Sequence, residues 1–143
     1  MTVRPLNRFT WEAAAELELA EYQQDFLPPN LFSIAQAHYE GLTAAGIFAD
    51  GSLVGFATYG NLGGVCWISR IMVAKDQQEK GYGTRALRIL LDQLRTRPDC
   101  AEIRTSFVRA NAIAEYFFSQ NGFRRIADGL DDEIVMRYMG DSD

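Results

Sequence analysis

The sequence predicts an α/β fold: one domain over residues 1–143, with a single mixed, mostly antiparallel central sheet flanked by about four helices. Three observations predict it. The runs "TAAGIFA" and "LVGFATYG" flank Asp50-Gly51-Ser52, a hairpin signal because such a turn needs positive φ angles. Leu87, Leu90, Leu91 and Leu94 recur at i, i+3, i+4 and i+7, the mark of an amphipathic helix packed on a sheet. That helix stands between two strand-like segments, "VCWISRIMVA" and "AEIRTSFV", as a parallel crossover requires.

"TVRPL" reads as a first strand, and Pro5 favours an edge or strand-end position because it cannot donate to a ladder. Thr10 is placed to cap a helix, "WEAAAELELAEYQQDF", whose alanines, leucines and glutamates have high helix propensity; Pro28-Pro29 stops it. Ser33 with Gln36 resembles a capping box that opens a second helix, "IAQAHYE". After the Asp50-Gly51 hairpin, Gly63-Gly64 marks another turn into "VCWISRIMVA". Both alternating sets of that run are largely apolar, so it reads as a central strand covered on two faces. Arg70 interrupts it and is expected to pair with a buried carboxylate. Pro98 follows the leucine helix, and "AEIRTSFV" is the next strand. "NAIAEYFFSQNG" is a helix with Asn111 as N-cap and Gly122 as C-cap. "FRRIAD" and "EIVMRYM", joined across "GLDD", close the chain as a strand pair.

Composition narrows the function. With 143 residues and 48% apolar content the chain can bury a core without staples. A net charge of -5 and a pI near 4.9 argue against nucleic acid or an anionic membrane surface as partner and are compatible with a cationic substrate. Cys66 and Cys100 are far apart with no CxxC spacing, so buried free thiols are expected and neither a metal site nor a redox pair. The single histidine, His38, lies in an alanine-rich helical segment, which disfavours a histidine triad or a multi-histidine metal centre. The opening residues carry no apolar signal core and no long uncharged apolar run occurs, so a cytoplasmic location is expected.

The chemistry concentrates in "QEKGYGT", Gln78 to Thr84, between the central strand and the leucine helix. The first turn of a helix leaves backbone N–H groups without partners and carries partial positive charge. Gly81 and Gly83 leave those groups open to a bulky anion and tolerate unusual backbone angles. A P-loop would need Gly-Lys-Ser/Thr, whereas Gly83 is followed by Thr84-Arg85. The dinucleotide fingerprint would need a third glycine and an early parallel unit. The segment also reads simply as a strand-to-helix turn.

Gln78-x-x-Gly81-x-Gly83 in this setting resembles the Q/R-x-x-G-x-G/A motif of the GNAT superfamily of acyl-CoA-dependent N-acyltransferases. Asn111-x-x-Ala114 leading to Gly122-Phe123 is similar to the family's second motif, N-x-x-A-x-x-x-Y-x-x-x-G-F. "AEYQQDFLPPNLFSIAQAHYE", "IFADGSLVGFATYG" and "ISRIMVA" resemble a bacterial branch described as spermine/spermidine or diamine acetyltransferases.

The resemblance implies acetyl-CoA as co-substrate, no metal, and direct acetyl transfer to a primary amine of a small, polyamine-like cation. Met72-Val73 would offer backbone hydrogen bonds to the pantetheine arm, and Asn111 would bond its amide. Gln78, Lys80, Gly81, Tyr82, Gly83 and Thr84 would surround the pyrophosphate. An ammonium must lose a proton before attack, through a carboxylate, a backbone carbonyl or water. Glu21 and Asp25, spaced i, i+4, are candidates for the acceptor side, with Glu21 the carboxylate placed as base and Glu133 a further acceptor candidate; all three also read as solvated acidic surface.

The family's tyrosine acid falls on Phe118, which can pack against the thioether but cannot donate a proton. Tyr116 is the nearby alternative, but two residues turn a helical side chain by about 200°, and a coenzyme A thiolate, about as acidic as a cysteine thiol, can leave with water as donor. Phe118 also keeps open a non-catalytic acyl-CoA-binding or regulatory domain. A protein amino group is a further acceptor class. By resemblance, a homodimer would form through the C-terminal strands.

Overall fold

In the computed structural model, which describes residues 1–140, seven strands form one sheet. They are β1 (Thr2–Pro5), β2 (Thr43–Ala49), β3 (Ser52–Leu62), β4 (Val65–Val73), β5 (Ile103–Val108), β6 (Phe123–Asp128) and β7 (Glu133–Tyr138). Their order is β1-β2-β3-β4-β5-β7-β6, and only β4 and β5 pair in parallel. The helices are α1 (Trp11–Glu16), α2 (Glu21–Gln24), α3 (Asn30–Glu40), α4 (Tyr82–Arg95) and α5 (Ala112–Ser119), with a one-turn 3-10 helix at Lys75–Gln77. The last three positions of the expected 1–143 domain lie outside the described residues. Among the described residues no helix is long and apolar enough to cross a membrane.

The expected hairpin turn forms with Asp50 and Gly51 both at positive φ (52° and 81°), and Pro5 falls on the edge strand β1. Leu87, Leu90, Leu91 and Leu94 are fully buried against Ile68, Ile103, Ile134 and Met136. Burying each leucine contributes about 1.5–3 kcal/mol, so this face of α4 anchors the crossover between β4 and β5. A second, smaller cluster holds Phe56, Met72, Ala14 and Leu19. Phe56 pairs across the ladder with Met72 and its neighbour Ala57 with Ile71, so strand alternation puts the two clusters on opposite faces of the sheet.

Three sequence expectations fail here, the first for a tertiary reason and the other two for local ones. The long first helix breaks into α1 and α2, giving five α-helices among the described residues. Leu17 turns extended (φ -61°, ψ 134°), the Asn30 Nδ2 donates to the α1-terminal carbonyl of Ala14 (2.9 Å), and the Lys75 N–H donates to Glu18 O (2.8 Å). These bonds to distant chain outweigh the local helix propensity, which is a weak preference of well under 1 kcal/mol per residue. Thr10 occupies the N-cap position but accepts from the Asn7 N–H (2.9 Å) and makes no cap bond. The next helix starts at Asn30, directly after Pro29, so Ser33 lies inside α3 and is buried.

The cysteines also depart from expectation. Cys66, fully buried at the start of β4, is disulfide-bonded to Cys100 in the loop before β5, with 5.2 Å between their Cα atoms. The pair is 34 residues apart, and only the crossover through α4 brings it together.

Candidate active-site cleft

The cleft arises where the two parallel strands part. β4 and β5 pair only at Cys66–Ile103, Trp67–Arg104 and Ile68–Thr105. The cause is on the other edge of β4: Tyr59 faces Ile68 and Thr58 faces Arg70, so Ser69 is an extra residue. Such a bulge bends its strand and shifts the phase of its side chains. At the parting point the Thr105 hydroxyl donates to the Ile68 carbonyl (2.8 Å). Beyond it Ser69–Val73 and Ser106–Phe107 face each other without a ladder and wall a cleft of about 250 Å³. The backbone there can take an inserted extended ligand as an added strand would.

One end of the cleft is the glycine loop. Glu79 (φ 65°) and Gly81 (φ 79°) are both left-handed, and α4 begins at Tyr82. Alternating hands turn successive N–H groups into a concave anion seat at the positive end of a helix dipole. Gly83 has no positive φ, so the expectation of unusual angles holds for Gly81 alone. A Cβ at Gly83 would meet only Phe117 at 3.6 Å and Val73 at 3.8 Å, ordinary contacts. Neither backbone nor packing demands glycine there, and open space in the cleft is what it supplies.

Gln78 does not reach outward. Its Nε2 donates to the Val73 carbonyl (3.0 Å) and to Gln23 Oε1 (3.0 Å), bracing the loop against β4 and α2. Met72, Val73, Gln78, Gly81, Tyr82 and Gly83 line the cleft, whereas Lys80 and Thr84 do not; Lys80 is exposed and donates to Gln77 Oε1 (3.1 Å).

α5 supplies the opposite wall. Asn111, 8% exposed, caps the helix by accepting from the Ala114 N–H (3.2 Å), and it also lines the cleft. Phe118 lies beside it in a cluster of rings, parallel to Phe107 at 6.0 Å and edge-on to Phe117 (5.2 Å) and Phe123 (5.1 Å). Tyr116 is 68% exposed and does not line the cleft, in keeping with its angular offset on the helix. Tyr22 and Tyr82 are the phenols that do line it.

The acidic residues assigned to the acceptor side lie elsewhere. Glu21 and Asp25 are exposed, Glu133 is half-buried on β7, and none lines the cleft. The charged side chains that do line it are Arg70 and Glu79. Arg70 is 5% exposed, and among the described residues the carboxylate partner expected for it is absent. Instead Nη1 donates to Ser33 Oγ (2.6 Å) and Nη2 to Asn30 Oδ1 (2.9 Å), both neutral acceptors on α3, and Nε has no partner. Burial without a counter-charge lowers its pKa to about 10. Sequence reasoning also missed Tyr22, Gln23 and Leu27, because their position depends on the break between α1 and α2, which leaves no local signal.

The pattern that defines the acetyltransferase (GNAT) family matches residues 11–123. The chain is 28% identical over 123 residues to a probable spermine N(1)-acetyltransferase of Bacillus subtilis subsp. natto, covering 78% of this chain and 80% of the relative. It is 27% identical over the same length to the spermine/spermidine N(1)-acetyltransferase of Bacillus subtilis strain 168, with the same coverage. Among solved structures, the fold is similar to that of the aminoglycoside acetyltransferase AAC(6')-Ib with an aminoglycoside and acetyl-CoA bound, with TM-score 0.77, 19% identity, and 95% and 90% of the two chains covered. The ribosomal-protein-S18-alanine N-acetyltransferase of Escherichia coli superposes with TM-score 0.74 at 20% identity, over 99% and 96% of the two chains. With the family pattern spanning most of its length, residues 11–123, the chain belongs to the acetyltransferase (GNAT) family.

Proposed function

We propose that the chain transfers the acetyl group of acetyl-CoA directly to a primary amine of a small acceptor. The observation that carries this reading is the continuous path from the unpaired edges of β4 and β5 to the open helix start at Gly81–Gly83. An extended chain with amides fits the first part, and a diphosphate fits the second. The pyrophosphate would sit on the N–H groups following Gly81, and Asn111 beside β5 would reach the pantetheine amide. The names of the two Bacillus relatives support a polyamine-like acceptor. A cytoplasmic location belongs to the same proposal, as does a homodimer through the exposed edge strand β6, checked by light scattering.

In the transfer the neutral amine attacks the thioester carbonyl, the C–S bond breaks, and the thiol leaves with the proton balance closed by water. Phe118 excludes a proton donor from the family's usual position. Phe118→Tyr is expected to add a pH-dependent limb to the rate, lost as the introduced phenol ionises toward its ordinary pKa of about 10. A rate profile identical to that of the parent protein would show that the position does not face the leaving group.

The decisive assay follows thiol release from acetyl-CoA with polyamines, amino acids, aminoglycosides and peptides. Saturable coenzyme A binding without acceptor-dependent release would favour a binding or regulatory domain instead. Gln78→Ala, which removes the brace on Val73 and Gln23, should raise the KM for acetyl-CoA about fivefold to tenfold with kcat nearly constant, as loss of two neutral hydrogen bonds would give. An unchanged KM would show that the loop holds its shape without the brace.

A further inference from the structure

We propose that Arg70 receives a carboxylate of the acceptor, so that the amine acetylated by this protein belongs to an amino acid or a similar small amino-carboxylate rather than to a bare polyamine. The proposal rests on the acetyl-transfer reading for its amine half and departs from the relatives' names for the rest.

The first ground is the state of the guanidinium. It is 5% exposed, bonded to two neutral oxygens, and left with an Nε–H that has no acceptor. A buried charge is ordinarily paired, because the desolvation cost is otherwise uncompensated. Arginine's planar fork matches a carboxylate better than any other common anion except phosphate. The cleft is the place from which such a group can come, since Arg70 lines it beside Ser69.

The second ground excludes the phosphate. Val73 Cγ2 lies 3.8 Å from where a Gly83 Cβ would stand, so Val73 faces α4 and the glycine loop. Strand alternation is regular from Arg70 to Val73, so Arg70 and Met72 face the opposite side, toward α3. A diphosphate on the loop and an anion on Arg70 therefore occupy different faces of β4, as donor and acceptor must when they meet at the parting strands.

The third ground is the charge of the cleft. Among the described residues its single carboxylate, Glu79, belongs to the glycine loop, and Glu21, Asp25 and Glu133 stand outside it. A polyamine beside Arg70 would meet a like charge and no counter-charge. An amino-carboxylate places its anion there and leaves the amine free for attack.

The test compares matched acceptors that differ only in the carboxylate: amino acids against their amides, with spermidine alongside. The expected result is a kcat/KM about tenfold or more higher for the carboxylates, shrinking to within about twofold in Arg70→Gln while the KM for acetyl-CoA stays unchanged. A preference for spermidine or the amides, or a carboxylate preference that survives in Arg70→Gln, would overturn the proposal. Calorimetric titration of the protein with N-acetyl amino acids and their amides, in the presence of coenzyme A, reads the same difference without turnover. If no amine is acetylated but this binding difference of about tenfold is present, the transfer reading fails and the Arg70 assignment stands; equal binding of the two sets overturns the assignment. The wild-type pairs decide the matter even where Arg70→Gln does not fold, and Arg70→Lys, which keeps the charge and loses the fork, should retain only part of the preference.

Discussion

Gly83→Asp is expected to abolish acetyl-CoA binding, with an affinity loss of at least about 100-fold, while the protein stays folded. The fold tolerates the change because Gly83 has ordinary helical φ and a Cβ there meets Phe117 and Val73 at normal contact distances. A carboxylate in the first turn of α4 even suits the helix dipole. It also occupies the anion seat and repels a diphosphate, and these two effects together give the loss. Gly83→Ala separates space from charge: stability should rise by up to about 1 kcal/mol from helix propensity, yet binding should still weaken. Gly81→Ala should do the reverse to stability, losing about 1–2 kcal/mol because φ is 79°. Calorimetry and thermal unfolding on the three variants measure both quantities. Unchanged affinity in Gly83→Asp would mean that the loop is a turn and nothing more.

Reduction of the Cys66–Cys100 disulfide is expected to lower stability by about 3–4 kcal/mol. The bond closes a loop of 34 residues, and the chain entropy released to the unfolded state on opening a loop of that length gives this figure. Cys66 remains buried in the core either way, so the folded packing changes little. Urea unfolding with and without a reductant reads the difference directly. Coincident midpoints would show that the link contributes nothing. In a reducing compartment the thiol form prevails, and the protein then has the lower of the two stabilities. The staple joins the α4–β5 loop to the paired end of the diverging strands, so it fastens the closed end of the cleft.

The place of the glycine loop in the fold was readable because its signals are local. The glycines, the apolar strand before them and the leucine period after them all lie within one stretch of chain, and each has a short-range physical meaning. The Asn111 cap was readable for the same reason, since its bond to Ala114 spans one turn. The acceptor side was not. Glu21 and Asp25 share a helix face by spacing, but the break at Leu17–Ala20 re-aims α2 so that Tyr22 and Gln23 meet the cleft and the two carboxylates meet solvent. Arg70 invited a carboxylate partner because buried charges are usually paired, and the acceptors it found are Asn30 and Ser33, the latter a residue that local pattern had assigned to a cap.

The sequence by itself determined the order of the strands, the parallel crossover through α4 and the glycine turn at its start. Periodicity, turn residues and helix ends act over a few residues, and the chain need only be read in short windows to see them. Only the tertiary structure decided the long-range partners in and around the cleft: Gln78 bonding to Gln23 55 residues away, Arg70 to Asn30 40 residues away, and Cys66 to Cys100 across 34. Each of these depends on how the sheet parts at Ser69 and how α1 ends against Asn30. Those geometries come from packing and buried hydrogen bonds between distant segments, and such bonds override local propensity wherever a buried polar group must find its partner.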